Sequence, residues 1–386
     1  MNVKKDLIIV GAGPAGSSAA YAAANSGLDV LILDKEKWPR YKACGGALSL
    51  RTINMLKEKG IKIKSDLIKN EINNFEFYFP GNHNFKLNYN RDSIKLINRS
   101  EFDDYLIKKA KQSGAEFLDE IKVRSIKEEK NQVIIKTENK IYQSNYLIGA
   151  DGANSKISVL LNPERNNIIQ HKGTALEVEF KRSYLEKDDF KDTILVDFSH
   201  LDNGYSWLFP KKDYLSIGLG NLNFQKINLK NKLNDYLKSL NIDFNLNKME
   251  LQAHPIPVYS KEMNFNRVSK RVLLTGDAAY LADAFIGEGI YYALASGFTA
   301  AEVIAEKFNS KEIVFDYELR LKNTILAELI AAEKAARLFY NNKKLVRILL
   351  EKRSDMLTIF MDAVQGRKNY TELRNLFKFL KKIFKF

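Results

Sequence analysis

Leu7-Ile8-Ile9-Val10-Gly11-Ala12-Gly13-Pro14-Ala15-Gly16 runs a short apolar segment straight into a glycine-rich turn. The apolar run suits a buried parallel strand. The next residues, SSAAYAAANSG, read as a helix that stops at Gly27, and Val30 to Leu33 form a second strand closed by Asp34. Strand, glycine turn, helix, strand and acid, in that order, predict a dinucleotide site. The glycines let backbone approach a pyrophosphate, and the helix N-terminus presents unpaired N–H groups and the positive end of its dipole. Asp34, with Lys35 beside it, is placed to meet a ribose, and an acid there favours FAD or NAD over NADP. The glycine motif alone would equally serve as a structural turn. Its context makes the dinucleotide reading the stronger one.

Beyond this unit the chain does not continue as repeated strand–helix pairs. FEFYF, FKLNY and IKLIN, between Phe75 and Asn98, predict antiparallel strands, followed by a helix from Ser100 to Ser113. Ile121 to Glu138 alternates as a hairpin with Lys130-Asn131 near its turn. Tyr146 to Gly152 is an apolar strand ending in Gly149-Ala150-Asp151-Gly152, and RVLLTGDAA is another, ending at Gly276-Asp277. Gly287-Glu288-Gly289-Ile290 then opens a long Ala-rich helix. An acid just beyond a strand can hold sugar or ribityl hydroxyls, and a second helix N-terminus can face an anionic ring. Attachment points this far apart imply an FAD embedded across the chain. The fold predicted is α/β: a Rossmann-type FAD-binding domain (1–75, 95–160 and 268–310), an inserted antiparallel-sheet substrate domain (76–94 and 161–267) and a helical C-terminal region (311–386).

The 386 residues exceed one ordinary core, and 45% of them are hydrophobic. The net charge is +14, concentrated at the end: from Asn341 to Phe386 there are twelve Lys or Arg against four Asp or Glu. In that region Leu376, Phe377, Leu380, Ile383 and Phe384 share one helical face, with Lys378, Lys381, Lys382 and Lys385 on or beside the other. Such a helix either docks on its own protein or lies on a membrane surface. Nucleic acid is not expected, since no binding module accompanies the charge. The lone Cys44 excludes an internal disulfide, and no Cys/His cluster has metal-ligand spacing, so no metal is expected and a cytoplasmic location is. LIIVGAGPAG imitates a signal peptide, but its glycines and proline belong to the dinucleotide turn. No apolar stretch is long enough to span a bilayer.

Gly204-Tyr205-Ser206-Trp207-Leu208-Phe209-Pro210 places three rings on one face of a strand that ends at Pro210, while Gly218 and Gly220 allow a neighbouring strand to come close. The rings are either sheet core or the wall of an apolar pocket.

Gly11 to Gly16 with Asp34, Arg99, Gly149-Ala150-Asp151-Gly152 and Gly276-Asp277 resembles the FAD-binding domain of the aromatic-hydroxylase superfamily. The resemblance implies that Arg99 lies near FAD and that Asp277 holds its ribityl-diphosphate portion. The cofactor set it implies is Gly11, Gly13, Ala15, Gly16, Asp34, Lys35, Cys44, Gly45, Arg99, Asp151, Gly152, Gly276, Asp277, Gly287, Gly289 and Ile290. Pro39-Arg40-Tyr41-Lys42-Ala43-Cys44-Gly45-Gly46-Ala47, the ring strand with Gly218, and Gly276 through Ala293 together resemble the geranylgeranyl reductase family, which saturates isolated C=C bonds of polyprenyl lipids or diphosphates. The resemblance implies Tyr205, Trp207, Phe209, Pro210 and Gly218 as substrate residues. It also implies an electron donor, NAD(P)H or a reduced carrier protein. An isolated alkene needs hydride on one carbon and a proton on the other, and Cys44 and Tyr205 are the candidate proton donors. The flanking Arg40 and Lys42 could meet a head group or an FAD phosphate. Tyr280 and Ala284 depart from the family pattern, where Gly and Pro are usual. An FAD monooxygenase acting on an aromatic or quinone-type substrate is the alternative; a halogenase is weaker, because that motif usually has Trp where Tyr205 stands. A flavin-binding adaptor without turnover is the non-enzymatic reading.

Overall fold

Three β-sheets, a set of covering helices and a C-terminal helical region are seen in the computed structural model, which describes residues 3–163, 172–184, 190–223, 227–242, 249–308, 310 and 312–373. The first sheet runs β8 (Glu116–Leu118), β2 (Val30–Leu33), β1 (Val3–Val10), β11 (Ile141–Gly149), β10 (Val133–Lys136), β9 (Ser125–Glu128), and β17 (Val272–Leu274) also pairs with β11. Strands β8, β2, β1, β11 and β17 are parallel, and β9 and β10 form the antiparallel hairpin expected from the alternation. Leu7, Ile8 and Ile9 are completely buried, as are Val30, Ile32 and Leu33, which is why these runs carry no alternation. Helix α1 (Pro14–Asn25) packs between α3 (Arg99–Gln112) and α6 (Ile290–Glu306).

The second sheet runs β16 (Gln252–Pro257), β12 (Lys172–Lys181), β15 (Tyr214–Asn221), β14 (Gly204–Pro210), β13 (Thr193–Asp197), β5 (Asn74–Phe79), β6 (His83–Asn88). It is antiparallel except where β13 meets β5. Helix α5 (Leu229–Ser239) covers one side. A small third sheet joins β3 (Ala47–Leu48), β7 (Ile94–Ile97) and β4 (Ile68–Ile72). FEFYF, FKLNY and IKLIN are antiparallel strands as expected, but they divide between two sheets: FEFYF and FKLNY pair with each other, and IKLIN pairs in the third sheet. The link between them is pulled away, because Tyr89 and Arg91 are both hydrogen-bonded to the buried carboxylate of Asp362.

Helices α2 (Leu50–Glu58) and α4 (Lys156–Leu161) are short, and α7 (Ile313–Leu321) to α10 follow α6. Helices α8 (Ala327–Tyr340), α9 (Lys343–Lys352) and α10 (Asp355–Val364) lie against the second sheet through rings, with Phe79 6.1 Å from Phe339 and Phe77 5.8 Å from Phe360. A cavity of about 20 Å³ remains among Phe77, Phe79, Phe198, Phe339 and their aliphatic neighbours. Its lining is wholly apolar, so it offers a water no hydrogen-bond partner, and it is too small to seat a prenyl chain. The lysine-flanked stretch from Leu376 to Lys385 lies outside the described residues. Among the described residues no helix is long and apolar enough to cross a membrane, and no cluster of three metal-ligating side chains occurs.

Candidate functional site

The turn after β1 is held by a close approach of two backbones. Gly11 adopts φ +103°, and a Cβ there would lie 2.2 Å from the carbonyl oxygen of Ala150 at the end of β11. Beyond it, α1 begins at Pro14 with no side chain capping its first turn. A Cβ on Gly13 would meet only the guanidinium of Arg40, at 3.6 Å. Arg40 Nη1 is buried without a hydrogen-bond partner, while its Nη2 is 3.1 Å from Asp103. Open space, uncapped N–H groups and an orphaned buried guanidinium nitrogen converge at this point. That arrangement suits a pyrophosphate.

Asp34 is nearly buried at the end of β2. Its carboxylate accepts from the backbone N–H of Ala12 at 2.7 Å and of Glu36 at 2.9 Å. Lys35 is exposed, with its Nζ 3.5 Å from the Glu36 carboxylate. Asp151 accepts from the backbone of Lys156 and Ile157 and so anchors the start of α4, beside Gly152, whose missing side chain faces open space. Asp277 follows β17 with Lys42 Nζ 3.6 Å from one carboxylate oxygen. A Cβ on Gly289, at the uncapped start of α6, would be 3.5 Å from the other. A Cβ on Gly276 would lie 3.0 Å from Ala15 Cβ, so the turn after β17 adjoins the start of α1, whereas Gly287 faces Leu222 and Ile256.

Behind this region is a buried ionic cluster. Arg99 forms two hydrogen bonds to Asp103, at 2.9 and 2.8 Å, and both side chains are buried. Burial would raise the carboxyl of Asp103, but Arg99, then Arg40 and Lys42, hold it below the usual carboxylate range. Burial pushes Lys42 down against the attraction of Asp277. Arg99 also lies beside the Cys44 side chain. His254, on β16, adjoins the same charges. Burial and then Lys42 push its imidazole down to about 4, and its Nε2 has no partner. Sequence reasoning missed Arg40 as a partner of Asp103, and it missed His254. Arg99 and Asp103 stand four apart on α3, a spacing that signals an ion pair.

The ring strand meets this site through the Cys44 loop. Tyr205 and Trp207 are 6.1 Å apart, and Trp207 and Phe209 6.2 Å, so all three rings share one face of β14. A Cβ on Gly45 would lie 2.6 Å from the Phe209 ring and 3.5 Å from Trp207 Nε1. The Cys44-Gly45-Gly46 segment therefore rests on the rings. Tyr205 donates its hydroxyl to the carbonyl of Ile286 at 2.6 Å, tying the strand to the loop before α6. Burial, then Asp283, push that hydroxyl well above the ordinary tyrosine range, so it stays protonated. Trp207 crosses β15 at Gly218, where a Cβ would lie 2.4 Å from the indole. We expect Gly218→Ala to cost roughly 2 kcal/mol through this overlap and to move the emission of Trp207 without lowering FAD content. Thermal melts and fluorescence of the flavin-loaded protein check both.

The two departures from the family pattern now separate. Tyr280 has φ +55°, a conformation glycine adopts freely, and its ring packs 5.1 Å from Phe265 in the core of the first sheet. Ala284 instead packs against the second core, the one on which Tyr205 and Phe209 also pack.

The family described as FAD binding domain matches residues 4–198. An uncharacterised protein of Methanosarcina barkeri is 37% identical over 88% of this chain and 84% of its own length. A chloroplastic geranylgeranyl diphosphate reductase of Arabidopsis thaliana is 28% identical over 83% of this chain and 70% of its own. The chain belongs to the FAD binding domain family. A crystal structure of a geranylgeranyl bacteriochlorophyll reductase-like protein from Thermoplasma acidophilum superposes with a TM-score of 0.78, covering 97% of this chain and all of the other at 24% identity, which gives the fold. This member of the family is an FAD-dependent oxidoreductase, and the turn at Gly13, the starts of α1 and α6, and Arg40 fit that cofactor.

Proposed function

We propose that the protein saturates isolated C=C bonds of a polyprenyl chain carried on a lipid or a diphosphate. The observation that carries this reading is the seating of the Cys44-Gly45-Gly46 segment directly on the Trp207 and Phe209 rings. That contact joins the cofactor-facing loop to an apolar wall. A branched hydrocarbon offers little but apolar surface to recognise, and burial against rings supplies that recognition. Bound FAD, once reduced, supplies the hydride. The chain supplies orientation, dryness and the proton.

Two groups could give that proton. The Tyr205 proton is committed to the Ile286 carbonyl, which has no proton to return. The Cys44 thiol adjoins the Arg99 guanidinium, in the loop whose Gly45 rests on the ring wall. We therefore assign the proton to Cys44 and anchoring to Tyr205. Cys44→Ser is expected to slow product formation about tenfold, less than the full worth of a general acid because serine keeps a donor. Tyr205→Phe is expected to change it less. The reverse order of effects in single-turnover assays would exchange the two roles.

The direct test uses the FAD-loaded protein, reduced anaerobically with dithionite and offered geranylgeranyl diphosphate or a geranylgeranylated glycerophospholipid. The product should gain two hydrogen masses for each bond saturated, with reoxidation of the flavin. No mass gain from either substrate, with oxygen uptake and hydroxylation when the reduced protein is then given air and an aromatic or quinone-type compound, would replace the reductase by a monooxygenase.

A further inference from the structure

A buried acid that the mechanism above does not use lies beneath the Cys44 loop. Glu177 is on β12, 2% exposed, opposite Gly218 of β15 and Gln252 of β16. Its Oε1 accepts from the Ser216 hydroxyl at 2.7 Å, and that hydroxyl oxygen accepts from Trp207 Nε1 at 3.1 Å. The carboxylate also faces the backbone N–H of Cys44, and the next residue of that loop, Gly45, would bring a Cβ to 3.5 Å from the same Trp207 Nε1. One carboxylate thus meets both the ring wall, through Ser216, and the loop that rests on it.

We propose that Glu177 is a positioning residue that sets Cys44 and the Trp207 indole relative to each other. Three features support this. The carboxylate is fully enclosed, and an acid is kept inside a sheet only when its hydrogen bonds are made. Its two partners come from segments that no local structure brings together, the loop after β2 and the strand β15. Its charge is met rather than left bare: Lys211, 1% exposed and following Pro210, faces it, with Glu179 3.7 Å from Lys211 Nζ and Tyr41 nearby. Lys211 Nζ would also lie 3.5 Å from a Cβ on Gly46, so the same loop is held at a second point. Removing the carboxylate leaves the Ser216 hydroxyl buried without its acceptor, the Cys44 N–H without the charge it faces and Lys211 without a buried counter-charge.

The consequence for turnover rests on the reductase reading, whereas the positioning does not, and the test separates them. In FAD-loaded protein carrying Trp38→Phe, Trp207 is the sole tryptophan and reports its own surroundings. Glu177→Ala should raise the rate of Cys44 labelling by a maleimide roughly tenfold and shift the Trp207 emission to the red, since buried groups left unpartnered open toward water. Glu177→Gln keeps an acceptor oxygen and should stay within about threefold of the parent in labelling. Ser216→Ala, which cuts only the link to Trp207, should move the emission and leave labelling unchanged. It reads the same network should Glu177→Ala not fold. On prenyl substrate, Glu177→Ala should lower kcat with little change in KM. Unchanged labelling and emission in folded, flavin-loaded Glu177→Ala would overturn the proposal, as would a Ser216→Ala protein with unmoved emission. Labelling and emission that move as expected, in a parent protein that saturates no prenyl lipid, would uphold the positioning and discard the reductase.

Discussion

Gly11→Ala should yield protein that is destabilised and carries no flavin, whereas Gly13→Ala, two residues on, should fold as the parent does and lose only the flavin. The difference follows from what each Cβ meets. At Gly11 it would meet the Ala150 carbonyl oxygen at 2.2 Å, carbonyl carbon at 2.5 Å and the Asp151 Cα at 2.9 Å, all backbone, with φ at +103°. A residue with a side chain held in such a conformation costs roughly 1–3 kcal/mol before any overlap is counted. The overlap cannot be relieved by a rotamer, because the atoms struck belong to β11 and its following turn. The link between β1 and β11 must part, and with it the turn that presents the start of α1. At Gly13, φ is −66°, open to any residue, and the nearest atom is the far end of Arg40 at 3.6 Å. Alanine there is neutral for the fold. It fills the space beside the uncapped N–H groups where a pyrophosphate would sit, and a tenfold weaker FAD is about 1.4 kcal/mol of binding. The measurements are flavin-to-protein ratio after loading, FAD titration, and thermal melts without added FAD. A Gly13→Ala protein that keeps full FAD affinity would remove the pyrophosphate from this turn. A Gly11→Ala protein as stable as the parent would contradict the close approach to Ala150.

The same comparison explains what was legible in the sequence. The unit from β1 to Asp34 could be read because its determinants are local: a buried strand, glycines at the turn, an Ala-rich helix, an acid at the next strand end. The face shared by Tyr205, Trp207 and Phe209 could be read because a strand has a period of two. Glu177 could not. In LEVEF, Glu177 and Glu179 alternate with apolar residues and look like the wet side of a half-exposed strand. Glu179 is partly exposed, but Glu177 is buried between β15 and β16 and held by Ser216, a tertiary arrangement that no pattern on β12 announces. Asp34 and Asp151 illustrate a second limit. Both were expected to face the cofactor, and the type of residue was informative, yet their carboxylates are engaged by backbone N–H groups that finish a turn and start a helix. An acid at a strand end serves either purpose, and only the geometry tells which bonds it makes. Tyr280 shows a third. Its identity suggested a pocket altered in shape, whereas the backbone turns its ring into the first core.

Asp283→Asn should stabilise the flavin-loaded protein at neutral pH by about 3 kcal/mol, and by nothing near pH 4. Asp283 is completely buried, in the loop between the Gly276-Asp277 turn and α6. One carboxylate oxygen accepts from the backbone of Phe285 and Ile286, while the other faces the Tyr370 hydroxyl without closing a hydrogen bond. Burial pushes its carboxyl up to about 6 from an ordinary 3.8, against the opposing pull of Tyr370, the Phe285 N–H and Arg51. The direction of the pH dependence follows. Between pH 3.8 and about 6 the folded chain holds a proton at this position that the unfolded chain has released. Folding is therefore favoured at the acid end and loses about 1.4 kcal/mol per pH unit as pH rises through that window, with the whole penalty present above it. Asparagine keeps the acceptor oxygen for Phe285 and Ile286 and places an N–H₂ toward the Tyr370 oxygen, so the penalty disappears while the loop keeps its bonds. His254 acts with the opposite sign: with its folded value down at about 4, stability is lost as pH falls below its ordinary 6.5. The two slopes oppose each other in the parent, so its own pH profile hides both. The difference between parent and Asp283→Asn cancels the histidine. Urea midpoints of the two proteins at pH 4, 5, 6 and 7.5, with the same excess of FAD, should diverge steadily as pH rises to 6 and run parallel beyond. Midpoints that coincide at pH 7.5, or an asparagine variant that is the weaker one there, would mean that Asp283 is ionised in the folded protein at no cost. The loop before α6 would then be held by charge rather than in spite of it.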